Sequence, residues 1–141
     1  MNILFLCTGN SCRSQMAEGW ARHLKGDIIS AYSAGVEKHG MNKRAMAVMY
    51  EAGVDISDHS SKLVDDLPEG IQFDYVVTVC GNAHESCPMF PGKTKVVHVG
   101  FEDPPFLTKD MTDEEAILDV YRKVRDEIKA FVEGLPESLE K

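Results

Sequence analysis

At 141 residues the chain has room for one compact domain with a proper core, and residues 1–141 are expected to form a single unit. Its composition, 43% hydrophobic and 27% charged, is that of an ordinary globular protein, and a formal charge of −8 argues against nucleic acid or an anionic membrane as partner, since both call for a basic surface. The opening Met1-Asn2-Ile3-Leu4-Phe5-Leu6 has neither a basic lead nor a long apolar run, so no signal peptide or membrane span is expected and the protein is read as cytoplasmic. Four cysteines in a reducing compartment point to catalysis or metal binding more than to a disulfide framework.

Ile3-Leu4-Phe5-Leu6 reads as a first strand, and it runs straight into Cys7-Thr8-Gly9-Asn10-Ser11-Cys12-Arg13-Ser14. A strand that ends in a short loop and restarts as a helix leaves several backbone N–H groups pointing at one spot, where the helix dipole is positive. Thr8 to Ser14 are therefore read as an anion cradle. Gly9 lets the backbone fold back, Asn10 tolerates unusual dihedrals, Arg13 offers a planar fork of donors, and Ser11 and Ser14 have hydroxyls to share. Cys7, at the mouth of that cradle, is placed where a thiolate is favoured and is assigned as nucleophile. A buried structural cysteine is the plainer alternative, but it leaves the Cys-x5-Arg-Ser spacing between strand and helix to chance.

The helix that follows carries Met16, Ala17, Trp20, Ala21 and Leu24 on one face, with Gln15, Glu18, Arg22 and Lys25 elsewhere and Gly26 as its stop. Asp27-Ile28-Ile29-Ser30-Ala31 reads as a second strand, and Tyr32-Ser33-Ala34-Gly35 as a turn. Asn42 caps a helix that buries Ala45, Val48, Met49 and Ala52 and closes at Gly53. A short third helical piece is expected from Ser60 or Ser61 to Leu67. Tyr75 to Val79, apolar and β-branched, and Lys95 to Val99 are the third and fourth strands. Thr112-Asp113-Glu114-Glu115 forms a capping box for the longest helix, with Ile117, Val120, Tyr121, Val124, Ile128, Phe131, Val132 and Leu135 on its stripe, and the tail from Pro136 is expected to fray.

Strands alternate with helices throughout, which predicts an α/β three-layer sandwich: a four-stranded parallel sheet in flavodoxin-like order 2-1-3-4, with helices on both faces. In such a sheet the loops at the carboxyl ends of the strands share one edge. The cradle, the Cys80 to Pro88 segment and Phe101-Glu102-Asp103-Pro104-Pro105 all fall there. Asp103 is the natural proton donor for a leaving oxygen, because a carboxyl beside a bound oxyanion and a thiolate is pushed toward its protonated form. Cys80 and Cys87, if bridged by helix, would stand about 10 Å apart, so pairing requires the segment to unwind. Cys80-x3-His84-x2-Cys87 with Cys7 or Cys12 is an alternative zinc set, but the spacing is not a standard one and no metal is expected. His23, His39, His59 and His98 are scattered and read as surface or core residues.

Residues 7–20, Tyr-Ser-Ala-Gly at 32–35, Asp-Ile-Ser at 55–57, Cys-x6-Cys at 80–87 and Gly-Phe-Glu-Asp-Pro at 100–104 together resemble the thioredoxin-coupled arsenate reductases, built on the low-molecular-weight tyrosine phosphatase fold. The resemblance implies that Cys7 attacks arsenate held by the loop and Arg13 while Asp103 protonates the departing oxygen. It implies further that Cys80 and then Cys87 resolve the adduct by thiol–disulfide exchange, leaving a Cys80–Cys87 disulfide for thioredoxin to reduce. Phosphate or sulfate should occupy the same loop. Some members bind potassium beside it, and Asn10, Glu18 and Ser33 match that site, with Ser14 also supporting the loop. Where those members carry Asp this chain has Lys62, whose ammonium would take the ion's place by pairing with Glu18, so no potassium requirement and no tightly bound cofactor are expected. A monomer is expected, with thioredoxin and a small oxyanion as partners. Two other readings compete: a low-molecular-weight protein tyrosine phosphatase using Cys7, Arg13 and Asp103, which leaves Cys80 and Cys87 idle, and a non-catalytic redox or metal sensor built on the four cysteines.

Overall fold

A computed structural model describes residues 1–80 and 94–139. The expectations for His84 and Cys87 lie outside the described residues. Four strands, β1 (Asn2–Cys7), β2 (Ser30–Gly35), β3 (Tyr75–Cys80) and β4 (Lys95–Phe101), form one all-parallel sheet in the order β2-β1-β3-β4. The helices are α1 (Arg13–Lys25), α2 (Lys43–Glu51), a single turn α3 (Pro104–Leu107) and α4 (Glu114–Glu133).

The apolar run that predicts β1 also explains its central place, because a strand covered on both faces has no polar side to show water. Ile3 to Leu6 are fully buried, and their alternation splits the core in two. Ile3 and Phe5 join Met16, Ala17 and Trp20 of α1, Val48 and Met49 of α2, and Tyr121, Val124 and Ile128 of α4. Leu4 and Leu6 join Val76 and Phe73 beneath Val64, Leu67 and Ile71, where the cover is a short 3-10 turn, Val64–Asp66. Asn42 caps α2 as expected, its side chain accepting from the backbone N–H of Arg44 and Ala45.

Several local expectations yield to tertiary contacts. The second strand begins at Ser30, not Asp27, and takes in the residues read as a turn. Ile28 and Ile29 are used to close α1, their N–H groups both donating to Lys25 O, and the register with β1 opens only at Asn2↔Ser30. Its small residues permit that path: a Cβ on Gly35 would meet Thr8 O at 2.6 Å. The expected third helix shrinks to the 3-10 turn because Leu63 pairs in parallel with Gly35 and stays extended. The capping box does not form, since α4 starts after Asp113 and the Glu115 carboxylate accepts from Arg122 instead. The tail folds back through residue 139, with Leu139 buried in the main core. The polar side of α1 is not solvent-facing in its first turns, where Gln15 and Glu18 are both buried.

Candidate active site

The loop from Thr8 to Cys12 leaves β1 at the point where strand order reverses, between β1 and β3, which in parallel sheets opens a crevice at the strand carboxyl ends. Each of its carbonyls is occupied from behind. Thr8 O accepts from Val36 N and Glu37 N, Gly9 O from His39 N and Ser61 Oγ, Asn10 O from Gln15 Nε2, Ser11 O from Asn42 N, and Cys12 O from Met16 N, all at 2.9–3.2 Å. In a trans peptide the C=O and the following N–H point opposite ways. Holding five consecutive carbonyls against the scaffold therefore turns the N–H groups of residues 9–13 toward the bowl, a concave set of donors suited to an anion.

Asn10 makes that turn with φ +48°, a left-handed conformation that few residues other than glycine adopt. Its side chain is locked from three sides: Nδ2 donates to Ser14 Oγ at 2.9 Å, and Oδ1 accepts from Gln15 Nε2 at 3.0 Å and Lys62 N at 2.8 Å. Ser14 Oγ, which accepts from Asn10, lies 2.9 Å from Cys7 Sγ, within reach for its hydroxyl to donate to a thiolate there. Gln15, with its Nε2 spent on Asn10 and Ser60 O, presents Oε1 to His59, so Nδ1 of that imidazole carries the hydrogen. Burial holds the His59 imidazole below its ordinary pKa, against the pull of Glu18.

Behind the loop, Glu18 accepts from Ser33 Oγ and pairs with Arg22 at 2.9 Å, while Lys62 Nζ stands 4.0 Å from Glu18 Oε1 and donates to Ser60 O at 2.9 Å. The expected Lys62–Glu18 pairing is therefore the looser of two, and Arg22 is the main counter-charge. Burial also lowers the Lys62 pKa, opposed by Glu18. The oxygens that a potassium ion would use, Asn10 Oδ1, Ser33 Oγ and the Glu18 carboxylate, are already engaged with hydrogen-bond partners or cations. Among the described residues no group of three acidic, cysteine or histidine side chains is arranged to hold a metal.

Arg13 and Asp103 meet across the crevice, Nη2 to Oδ1 at 3.7 Å. Arg13 is buried, and its Nη1 donates to Phe101 O at 3.0 Å and Val79 O at 3.3 Å, pinning the guanidinium over the ends of β4 and β3. Asp103 stands just before α3, with Pro104 as the first helical residue, where the fixed φ of proline suits a helix start. Cys80 ends β3, and its Sγ lies 3.9 Å from Thr8 Oγ1, beside the cradle. Cys12 is buried, and burial drives its thiol pKa far above the usual range, opposed by Arg13. Cys7, Thr8, Gly9, Ser11, Cys12, Arg13 and Asp103 all line one cavity of about 590 Å³. Cys7, Arg13, Asp103, Cys80 and the cradle are thus brought together, while Ser33, Glu18 and Lys62 form a layer beneath them.

Sequence reading missed Gln15, Ser61, His59 and the segment 36–42, which fix the cradle from outside. Gln15 carried a weak signal, a polar residue one turn into a helix that restarts from a buried loop. The others are distant in sequence and have no motif of their own.

A model of the family described as low molecular weight phosphotyrosine protein phosphatase matches residues 2–141. The chain is 51% identical to an arsenate reductase of Halalkalibacterium halodurans, over 89% of this chain and 88% of that one, and 47% identical to arsenate reductase 1 of Staphylococcus saprophyticus, over 93% and 92%. Among solved structures, an arsenate reductase in the phosphate binding state superimposes with a TM-score of 0.77 at 32% identity, covering 95% of each chain. The match along nearly the whole chain, in sequence and in fold, means that this chain belongs to the low molecular weight phosphotyrosine protein phosphatase family, in the group that contains these arsenate reductases.

Proposed function

We propose that this protein reduces arsenate to arsenite, with Cys7 as nucleophile, Cys80 and Cys87 as resolving thiols and thioredoxin as the final electron donor. The observation that carries the reading is a second thiol at the first one's cradle: Cys80 Sγ stands beside Thr8, on the strand adjacent to Cys7. A hydrolase needs one thiol and water; a reductase must bring a second sulfur to the first.

Arsenate enters the bowl, where the loop N–H groups and Arg13 hold its oxygens. Cys7 attacks arsenic as the thiolate, accepting a hydrogen bond from Ser14 Oγ, and Asp103 gives its proton to the departing oxygen, which leaves as water. Cys80, as thiolate, then attacks Cys7 Sγ. The sulfur–arsenic bond breaks with its electron pair going to arsenic, so As(V) becomes As(III), and a Cys7–Cys80 disulfide remains. Attack of Cys87 on Cys80 releases Cys7 and moves the disulfide to Cys80–Cys87, which thioredoxin reduces by two electrons. Phosphate and sulfate share the shape of arsenate and occupy the bowl without being reduced. Lys62 and Arg22 supply positive charge beneath the loop, and no potassium is required.

The test is arsenate-dependent consumption of NADPH through thioredoxin reductase and thioredoxin, repeated with each cysteine replaced. Steady turnover in the parent, none in Cys7→Ser, and a single turnover or less in Cys80→Ser and Cys87→Ser are expected. Undiminished steady turnover after replacing Cys80 or Cys87 would defeat the relay. A parent that hydrolyses aryl phosphates rapidly and ignores arsenate would make it a phosphatase.

A further inference from the structure

The segment after β2 does more than hold two carbonyls. Its three backbone hydrogen bonds to Thr8 O and Gly9 O set the His39 ring directly on Gly9: a Cβ at position 9 would meet His39 Nδ1 at 2.2 Å. The imidazole thus takes the space of the side chain that the cradle lacks two residues after Cys7. Its other nitrogen, Nε2, is bonded to Glu37 Oε2 at 2.6 Å. Both side chains are more than half exposed, at 51% and 62%, and both line the cavity that holds Cys7, Arg13 and Asp103. The intervening Lys38 is turned away onto Asp66 at 2.9 Å. A carboxylate such as Glu37 at the mouth of an anion site repels the anion unless a cation or donor offsets it. Pairing of Glu37 with His39 through Nε2 offsets it and leaves Nδ1, the ring atom closest to Gly9, for a second partner.

We propose that His39, oriented by Glu37, is a further oxyanion-binding residue, donating from Nδ1 to an oxygen of the tetrahedral anion at the pocket mouth. Where that anion is arsenate, the assignment rests on the reading above and adds a contact from outside the cradle loop.

Binding of inorganic phosphate, measured by calorimetry on the full chain, tests this without turnover. His39→Ala should weaken phosphate about tenfold, the order expected for one hydrogen bond to a charged group. His39→Gln, which keeps an N–H donor, should recover most of the loss, and Glu37→Gln should weaken binding less than His39→Ala. In arsenate turnover the same loss should fall on KM, with kcat within about twofold, and thermal unfolding should confirm that each variant is folded. Parent affinity in His39→Ala, or equal loss in His39→Gln and His39→Ala, overturns the assignment, as does a parent that binds no phosphate. Should the parent bind phosphate through His39 yet fail to reduce arsenate, the reductase reading falls and this site stands. Normal arsenate turnover with unchanged phosphate affinity in His39→Ala removes this site and leaves the reductase reading standing.

Discussion

Replacing Asn10 separates the two costs of building the cradle, its hydrogen bonds and its left-handed backbone. Asn10→Ala removes the bonds to Ser14 Oγ and Gln15 Nε2, both buried, and to Lys62 N, which is part-buried. At about 1 kcal/mol net for each, that amounts to about 3 kcal/mol. A φ of +48° adds about 1 kcal/mol for alanine, which lacks asparagine's tolerance of that region. The expected loss is about 4 kcal/mol, a large share of the stability of a domain this size. Asn10→Gly loses the same bonds but not the backbone term, so after its greater unfolded-state entropy it should remain more stable than Asn10→Ala by several tenths to about 1 kcal/mol. Urea denaturation followed by circular dichroism reads both: at a slope of about 2 kcal/mol per molar, the alanine variant's midpoint should fall by about 2 M. Alanine equal to or more stable than glycine would refute the claim that strain is stored at residue 10. Two variants within about 1 kcal/mol of the parent would refute the network.

Other outcomes follow from the same site. Because burial keeps the His59 pKa below its ordinary value of 6.5, the unfolded chain takes up that proton first as pH falls. Stability from this group should therefore be intact above about pH 6.5 and decline below it until the folded imidazole also protonates, and His59→Gln should flatten that part of a thermal-melting series. A parent and variant with parallel profiles between about pH 7 and 5 would contradict it. Exchanging sodium for potassium at constant ionic strength should leave arsenate turnover unchanged, since hydrogen-bond partners and cations already engage the oxygens around Glu18; strong activation by potassium would show that Lys62 and Arg22 do not substitute for the ion. Burial raises the Cys12 thiol pKa, so iodoacetamide at neutral pH should leave Cys12 unmodified in the folded protein, as judged by peptide mass spectrometry, and rapid labelling there would contradict a buried thiol.

What the sequence determined by itself is what lies close along the chain or repeats with a simple period. Residues 7–14 are contiguous, so their strand, loop and helix start are written in one stretch, and Cys7, Arg13 and Ser14 can be assigned before any contact is known. Alternating strand and helix patterns indicate a parallel sheet, and the carboxyl ends of its strands carry Cys80 and Asp103 to the same edge as the cradle. The tertiary structure alone decided how the cradle is held: the carbonyl of Gly9 is turned by Ser61 and His39, and Asn10 is locked by Lys62 N, all from segments far along the chain. It also decided that β2 starts at Ser30, and that the polar side chains Gln15 and Glu18 face inward. The physical reason is common to these cases: local propensity sets which conformations a segment favours, whereas register, close approach and the partner of a buried polar atom exist only once distant segments have met.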